Sequence, residues 1–196
     1  MDRTATLQRF GVACVTLTVL LMVLGAWVKA TGSGLSCPDW PACYGEWLPP
    51  FPSIENGGMH EGEPVLYTQG QILSEWGHRA IVSILLLPLA AFAFVAGRGR
   101  ELRPVLRWLP PAAFALYFLQ AGLGAVTVVT GNPPWATTAH LAMAVTFLST
   151  LIVATTAAFL APLAPPRAKP EEPAKPSGLT EARPFTGYTW NEPKDP

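Results

Sequence analysis

Charge is what this chain has least of. Only 13% of its 196 residues are charged, about half the usual share of a soluble domain. Its 13 basic and 13 acidic side chains cancel, and no Lys/Arg run interleaved with aromatics occurs. The electrostatic footprint of a nucleic-acid binder is therefore missing, and nucleic acid is set aside as a partner. From residue 30 to residue 78 there is no Lys or Arg at all, only the acidic Asp39, Glu46, Glu55, Glu61, Glu63 and Glu75. Histidine is scarce too, with His60, His78 and His140 making up the full set.

What the chain has is apolar length. Half of its residues are hydrophobic, and they cluster into four runs close to the roughly 20 residues that a bilayer core demands. The expected fold is an all-α integral membrane bundle of four transmembrane helices, at about 10–28, 77–97, 108–129 and 138–163. The first run resembles a signal peptide in its basic flank, but it exceeds the roughly 7–15 residues of a signal core and Lys29 fits a cleavage site poorly, so it is expected to be retained. Arg98, Arg100, Arg103 and Arg107 lie in the connection after the second helix, which places that loop in the cytoplasm and the acidic loop outside. Both termini are then cytoplasmic, in keeping with Arg3 and Arg9 at one end and Arg167, Lys169 and Lys175 at the other.

The outer loop over 30–76 holds Gly32, Gly34, Pro38, Pro41, Pro49, Pro50 and Pro52, which disfavour regular structure. Trp40, Trp47, Leu48, Phe51 and Ile54 make it too apolar for a free linker, so it is expected to cap the bundle at the interface. In the second outer loop, 131–138, Pro133 and Pro134 turn the chain and Trp135 sits at headgroup level. Residues 164–196 turn to Pro, Lys, Glu and Ala and read as a disordered cytoplasmic tail.

A short repeat organises the membrane part. Leu24-Gly25-Ala26 with Thr31-Gly32 closes the first helix, and Leu123-Gly124-Ala125 with Thr130-Gly131 closes the third at the same spacing. Each is followed by an inward helix that opens with a histidine, His78 or His140. A duplicated hairpin of this topology has its pseudo-twofold axis along the membrane normal, so the two histidines would face each other at one depth. Close helix packing by small residues is the plainer reading of the glycines and is compatible with it.

Ionisable side chains in membrane helices are costly and usually functional. Two facing neutral imidazoles suit a haem best, as axial ligands gripping an apolar macrocycle in a four-helix slot. A bare metal would need further ligands. The plain alternative is an interfacial histidine bonded to a loop carbonyl, and His60 reads as merely solvated. Glu75 precedes His78 by three residues and shares its helix face, whereas Thr137 holds that place before His140. Glu75 either complements the helix dipole or handles protons and developing positive charge at a substrate. Arg79 and Lys29 either pair with haem propionates or snorkel to the interface. Cys37 and Cys43 lie in the outer loop, where a disulfide is expected, as a structural staple or as a redox-active pair. Cys14 lies within the first helix and reads as packing.

The stretch from Gly25 to Cys43, Thr31-Gly32-Ser33-Gly34-Leu35 and Cys37-Pro38-Asp39-Trp40-Pro41 within it, then Glu75-Trp76-Gly77-His78-Arg79, residues 120–128 and His140-Leu141 resemble the haem A synthase family. The resemblance covers about residues 10–160. It implies oxidation of the C8 methyl group of haem O, by successive hydroxylation, to the formyl group of haem A for cytochrome oxidase. It also implies haem ligation by the residues matching His78 and His140, a glutamate important for activity at Glu75 and an outer-loop cysteine pair at Cys37 and Cys43. Lys29 stands where many members have Arg.

The usual member has two four-helix units, one for the substrate haem and one for a haem b cofactor, while this chain has one, similar to the substrate-binding half. A homo-oligomer, a second four-helix chain, or a fragment would each explain that, and the Pro-rich tail speaks against the fragment. A haem O synthase is a further expected partner, and a prokaryotic cell membrane the expected location. Two rival functions are a haem-binding electron-transfer or haem-handling module without oxidase chemistry, and a thiol-redox assembly factor that uses only the cysteines.

Overall fold

The computed structural model describes residues 3–49, 56–60, 63–100 and 102–160, with only the backbone described at 56–60 and 63–66. The tail expected over 164–196, the last three residues expected of the fourth helix, and Pro50, Phe51, Pro52 and Ile54 lie outside these. Four helices are long and apolar enough to cross a membrane: α1 Arg3–Ala30, α2 Gln69–Arg98, α3 Pro104–Val129 and α4 Pro134–Leu160. Each packs extensively on its neighbour in sequence, and α1 packs on α4, which closes a ring of four.

Every helix begins several residues before the apolar run that announced it. Apolar length measures the hydrocarbon slab, whereas caps and prolines decide where a helix starts. Thr68 caps α2: its side chain accepts from Gln71 N at 3.3 Å and its own N–H donates to Gln71 Oε1 at 3.0 Å, a reciprocal capping box. Pro104 and Pro134 stand at the first positions of α3 and α4, where the missing N–H costs nothing and the fixed φ suits a helix. Pro134, read as a turn residue from sequence, is thus a helix starter.

The core runs down the ring axis at helical spacing, with Leu7, Cys14 and Leu21 of α1, Leu85, Leu89 and Phe92 of α2, Ala113 and Tyr117 of α3, and Phe147, Leu151 and Ala154 of α4. The outward faces carry Leu87, Phe94, Phe118 and Val153, all exposed, as lipid contact requires. Two polar side chains tie helices together: Tyr117 Oη donates to Val82 O at 3.0 Å, and Gln8 Nε2 ties the start of α1 to Ala158 O near the end of α4 at 3.2 Å.

The outer loop is more regular than its prolines suggest. Ser33–Leu35 forms a 3-10 turn, and β1 Asn56–His60 pairs antiparallel with β2 Glu63–Tyr67. The expectation of an irregular connection is corrected here, and the all-α description holds for the spanning part only. The five prolines Pro38, Pro41, Pro49, Pro50 and Pro52 crowd other stretches of the sequence, while the ribbon carries just Pro64, which pairs with Met59. In a ribbon of two edge strands a residue without N–H is tolerated. His60 ends β1 opposite Glu63.

One packing contact is tight enough to test. A Cβ added to Gly11 of α1 would stand 2.6 Å from Thr155 Oγ1 of α4. Gly11→Ala is expected to lower stability by about 1–3 kcal/mol through overpacking, read as a lower thermal midpoint in detergent. Adding Thr155→Ala should recover most of the loss; a midpoint unaffected by Gly11→Ala would show that the helices separate freely there.

Candidate functional site at the mouths of α2 and α4

Both helical histidines lie near the same end of the bundle, on the helices that follow the first and second outer connections. His78 packs over Gly25 of α1, where an added Cβ would lie 3.2 Å from the imidazole Cε1 and 3.7 Å from Nδ1. His140 packs over Gly124 of α3 with the same two distances, 3.2 and 3.7 Å. The repeated glycines are therefore the floor against which each ring lies, a use that the spacing alone did not reveal. In both rings Nδ1 is buried without a hydrogen-bond partner.

The pair differs at the other nitrogen. His140 Nε2 lies 3.3 Å from the side-chain amide nitrogen of Gln120, a residue within the quoted sequence strings but not singled out from sequence. Among the described residues no group of three or more His, Cys, Asp or Glu is placed to hold a metal ion. Two imidazoles are still sufficient for a haem, because the macrocycle supplies the remaining four ligands. In each ring Cε1 and Nδ1 lie toward the side-chain-free floor, which leaves Nε2 as the nitrogen that could take such a group.

Glu75 is buried at 6% exposure, and its Oε1 accepts a hydrogen bond from Arg79 Nε at 2.9 Å. The remainder of the guanidinium turns to the outer loop. Nη1 donates to Asp39 O and Ala42 O at 2.5 and 2.6 Å, and Nη2 donates to Cys37 O at 3.1 Å. Four of the five N–H donors of an arginine are thereby engaged, so Arg79 clamps the loop to Glu75. Lys29, in the last turn of α1, is exposed.

Cys37 and Cys43 form a disulfide and are fully buried or nearly so, in a small core with Tyr67 and Ile72 against which Leu35, Tyr44 and Trp76 pack. The Asp39 carboxylate stiffens this loop by accepting from Tyr44 N at 2.6 Å and Gly45 N at 2.8 Å. Tyr44 Oη donates to Ser36 O at 2.8 Å. Burial pushes the Tyr44 phenol up, and the nearby Tyr67 and Asp39 add to the effect, so it stays a donor through neutral pH. Ser36 Oγ donates to Gln71 O, Gln71 Nε2 to Thr31 O and Trp76 Nε1 to Trp47 O, at 3.1, 3.0 and 2.7 Å. The loop is stitched to the first turns of α2. At the corresponding point of α4, Thr137 Oγ1 donates back to Pro133 O at 3.2 Å and Asn132 O at 3.5 Å.

The COX15-CtaA family model, described as a cytochrome oxidase assembly protein, matches residues 8–186. A haem A synthase of Bacillus pumilus is 32% identical over 71% of this chain and 42% of its own length, and one of Exiguobacterium sibiricum is 28% identical over 73% and 43%. A protohaem IX farnesyltransferase of Halobacterium salinarum is 28% identical over 68% of this chain but only 26% of its own length. The chain thus spans less than half the length of these curated relatives. No solved structure matches it. With nearly its whole length matched, and with haem A synthases among its relatives, this chain belongs to the haem A synthase family of cytochrome oxidase assembly proteins.

Proposed function

We propose that this protein binds haem O between His78 and His140 and oxidises its C8 methyl group to the formyl group of haem A, with Glu75 acting at the substrate. The observation that carries this reading is the matched pair of imidazoles, each over a glycine at the same two distances, with Cε1 and Nδ1 on the glycine side. A bound haem would draw on Nε2 of each ring, and at His140 the Gln120 amide then gives way or turns to another acceptor. The iron supplies the redox chemistry. The chain's own part is to hold the macrocycle, exclude water with the loop over the site, and present a carboxylate one turn from His78.

Methyl to formyl proceeds by two hydroxylations, each of which takes up one water and releases two protons and, to an electron acceptor outside these four helices, two electrons, with positive charge developing at the carbon as they leave; the resulting geminal diol then loses water to give the formyl group. A buried carboxylate is suited to stabilise that charge or to receive the proton released. Thr137, at the matching place on α4, can do neither, so the two histidines are inequivalent for chemistry. The hairpins are read as a pseudo-twofold repeat, with the arginine-rich 98–107 connection and both termini cytoplasmic and the disulfide loop outside, in a prokaryotic cell membrane.

A haem b cofactor, in this reading, sits in a second four-helix unit provided by another copy of this chain or by a different chain, and a haem O synthase is the natural source of substrate. The farnesyltransferase likeness assigns no prenyl transfer here, because about three quarters of that relative has no counterpart in this chain. The short span relative to the family favours one second reading, a haem-handling half that needs its partner for any turnover.

Absorption spectra decide the first step. Purified protein should carry a haem spectrum that His78→Ala and His140→Ala each abolish or shift; a colourless protein from haem-replete cells would end the proposal. When haem O is supplied, Glu75→Gln should lower haem A formation by about 100-fold or more, the scale of losing a positioned acid–base group, with haem still bound. Haem retained by the wild-type oligomer without conversion would favour the haem-handling reading.

The glycine floor gives a separate test. Gly25→Ala or Gly124→Ala should displace its imidazole at a cost of about 1–3 kcal/mol and lower haem occupancy while circular dichroism is unchanged. Equal occupancy in both variants would mean that the rings do not bind from these positions.

A further inference from the structure

The guanidinium of Arg79 joins two features treated apart so far, the cysteine loop and Glu75. The three carbonyls it holds all belong to the span closed by the disulfide: Cys37 itself, Asp39, and Ala42 beside Cys43. In an open chain, carbonyls so spaced would point in different directions. They converge here because the disulfide brings the Cα atoms of Cys37 and Cys43 within 4.8 Å and the Asp39 carboxylate gathers Tyr44 N and Gly45 N. The loop is an acceptor cup for one cation, and the Arg79 side chain within it is only 12% exposed.

An arginine presents its donors in one rigid plane, so the place where the Nη atoms are held decides where Nε points. With the cup intact, Nε is aimed at Glu75 Oε1. Without it, a long flexible side chain would keep one hydrogen bond to the carboxylate and nothing to orient it. Lysine, a point charge on a mobile stem, could not hold three carbonyls and a carboxylate in this arrangement.

We propose that Arg79 is a positioning residue for Glu75 and that its hold depends on the closed Cys37–Cys43 loop, so that the disulfide and the buried carboxylate form one coupled unit. Reduction by a dithiol breaks the Sγ–Sγ bond, passes two electrons and two hydrogens to the cysteines as thiols, and leaves the reagent as its own disulfide. The loop then loses its closure, the three carbonyls disperse, and the Arg79–Glu75 pair loosens. Coupling of this kind is reciprocal: whatever the closed loop does for the pair, the pair does for the disulfide. Hydrogen bonds to a charged group are strong enough that losing the guanidinium should move the thiol–disulfide equilibrium by about tenfold or more. The consequence for turnover rests on the proposed role of Glu75, whereas the coupling itself does not.

The test equilibrates the full chain, in detergent, with graded ratios of reduced and oxidised dithiothreitol, then alkylates and counts free thiols by mass, with Cys14 as a constant background. Arg79→Gln should shift the equilibrium toward thiols by about tenfold or more, and Arg79→Lys nearly as far, since charge alone does not fill the cup. An unshifted Arg79→Gln overturns the proposal, even if its activity falls. Should neither Arg79 variant fold, as judged by circular dichroism, Glu75→Gln carries the measurement: a shift toward thiols supports the coupling and none overturns it. In the wild type, reduction should lower kcat for haem O with KM unchanged, reversibly on reoxidation; an unchanged kcat overturns the consequence for turnover. A shifted equilibrium together with a fully active Glu75→Gln would uphold the coupling and remove the catalytic reading of Glu75.

Discussion

Two imidazole rings stand at the mouths of α2 and α4 because the helix opposite each has no side chain at the point of contact. Any Cβ at Gly25 or Gly124 would press on Cε1 of the facing histidine at 3.2 Å, closer than ordinary van der Waals contact. The same close approach leaves each Nδ1 buried beside helix backbone whose own hydrogen bonds are internal, and therefore unpartnered. An orphaned polar atom in such surroundings costs free energy, so the arrangement would not persist without a tightly packed ring around it. The axial core from Leu7 to Phe147 supplies that ring. Fold and site are linked through these two glycines.

The two hairpins share that contact and differ in nearly everything above it. When they are aligned on their histidines, Glu75 falls opposite Thr137 and Arg79 opposite Leu141, which is exposed to the lipid side. The first hairpin is joined by a long loop with a disulfide, and the second by a few residues around Pro133. A carboxylate buried at this depth needs a cation, the cation needs further acceptors, and the cysteine loop provides them as carbonyls rather than as a second charge. That choice fits a low-dielectric boundary, because neutral dipoles can surround a buried ion pair without adding a net charge to be desolvated. On the proposed reading, a haem held between the histidines meets this chemistry along one edge only.

Much of this was legible in the sequence, and the limits have physical causes. Four spans follow from apolar length, and the five-residue motif repeated at constant spacing marks the two glycines on which the histidines lie. Helix starts were not legible from hydropathy, because Thr68 with Gln71, Pro104 and Pro134 act through backbone hydrogen bonds and φ, neither of which hydropathy records. The ribbon at Asn56–His60 was hidden by prolines that lie mostly outside it. The clamp at Arg79 was not legible for a deeper reason: its partners include backbone carbonyls some forty residues away, and carbonyls carry no side-chain signature. The burial of Glu75 was invisible for the same cause, since a first-turn glutamate reads as a dipole partner until the loop covering it is known. Gln120 could have been found by asking which polar residue of α3 lies one turn from Gly124.

The number of histidine pairs bears on how the proposed chemistry is completed. Of the three histidines of this sequence one lies on the ribbon, which leaves one pair on the spanning helices and, on the proposed reading, a place for a single bis-imidazole haem. A reaction that removes electrons from one haem and passes them to a second would then draw on a second four-helix unit, whether in the same polypeptide, in another copy or in a different chain. If that unit is a second copy, it brings its own Glu75, its own clamp and its own disulfide loop, and the two sites are identical until one of them is filled by substrate. If it is a different chain, its site has no need of the buried carboxylate, and Thr137 and Leu141 on the second hairpin of this chain show how readily the fold dispenses with the Glu–Arg pair. The two arrangements thus differ in whether the acidic clamp occurs once or twice per assembly, a difference written in side chains and not in the helical frame.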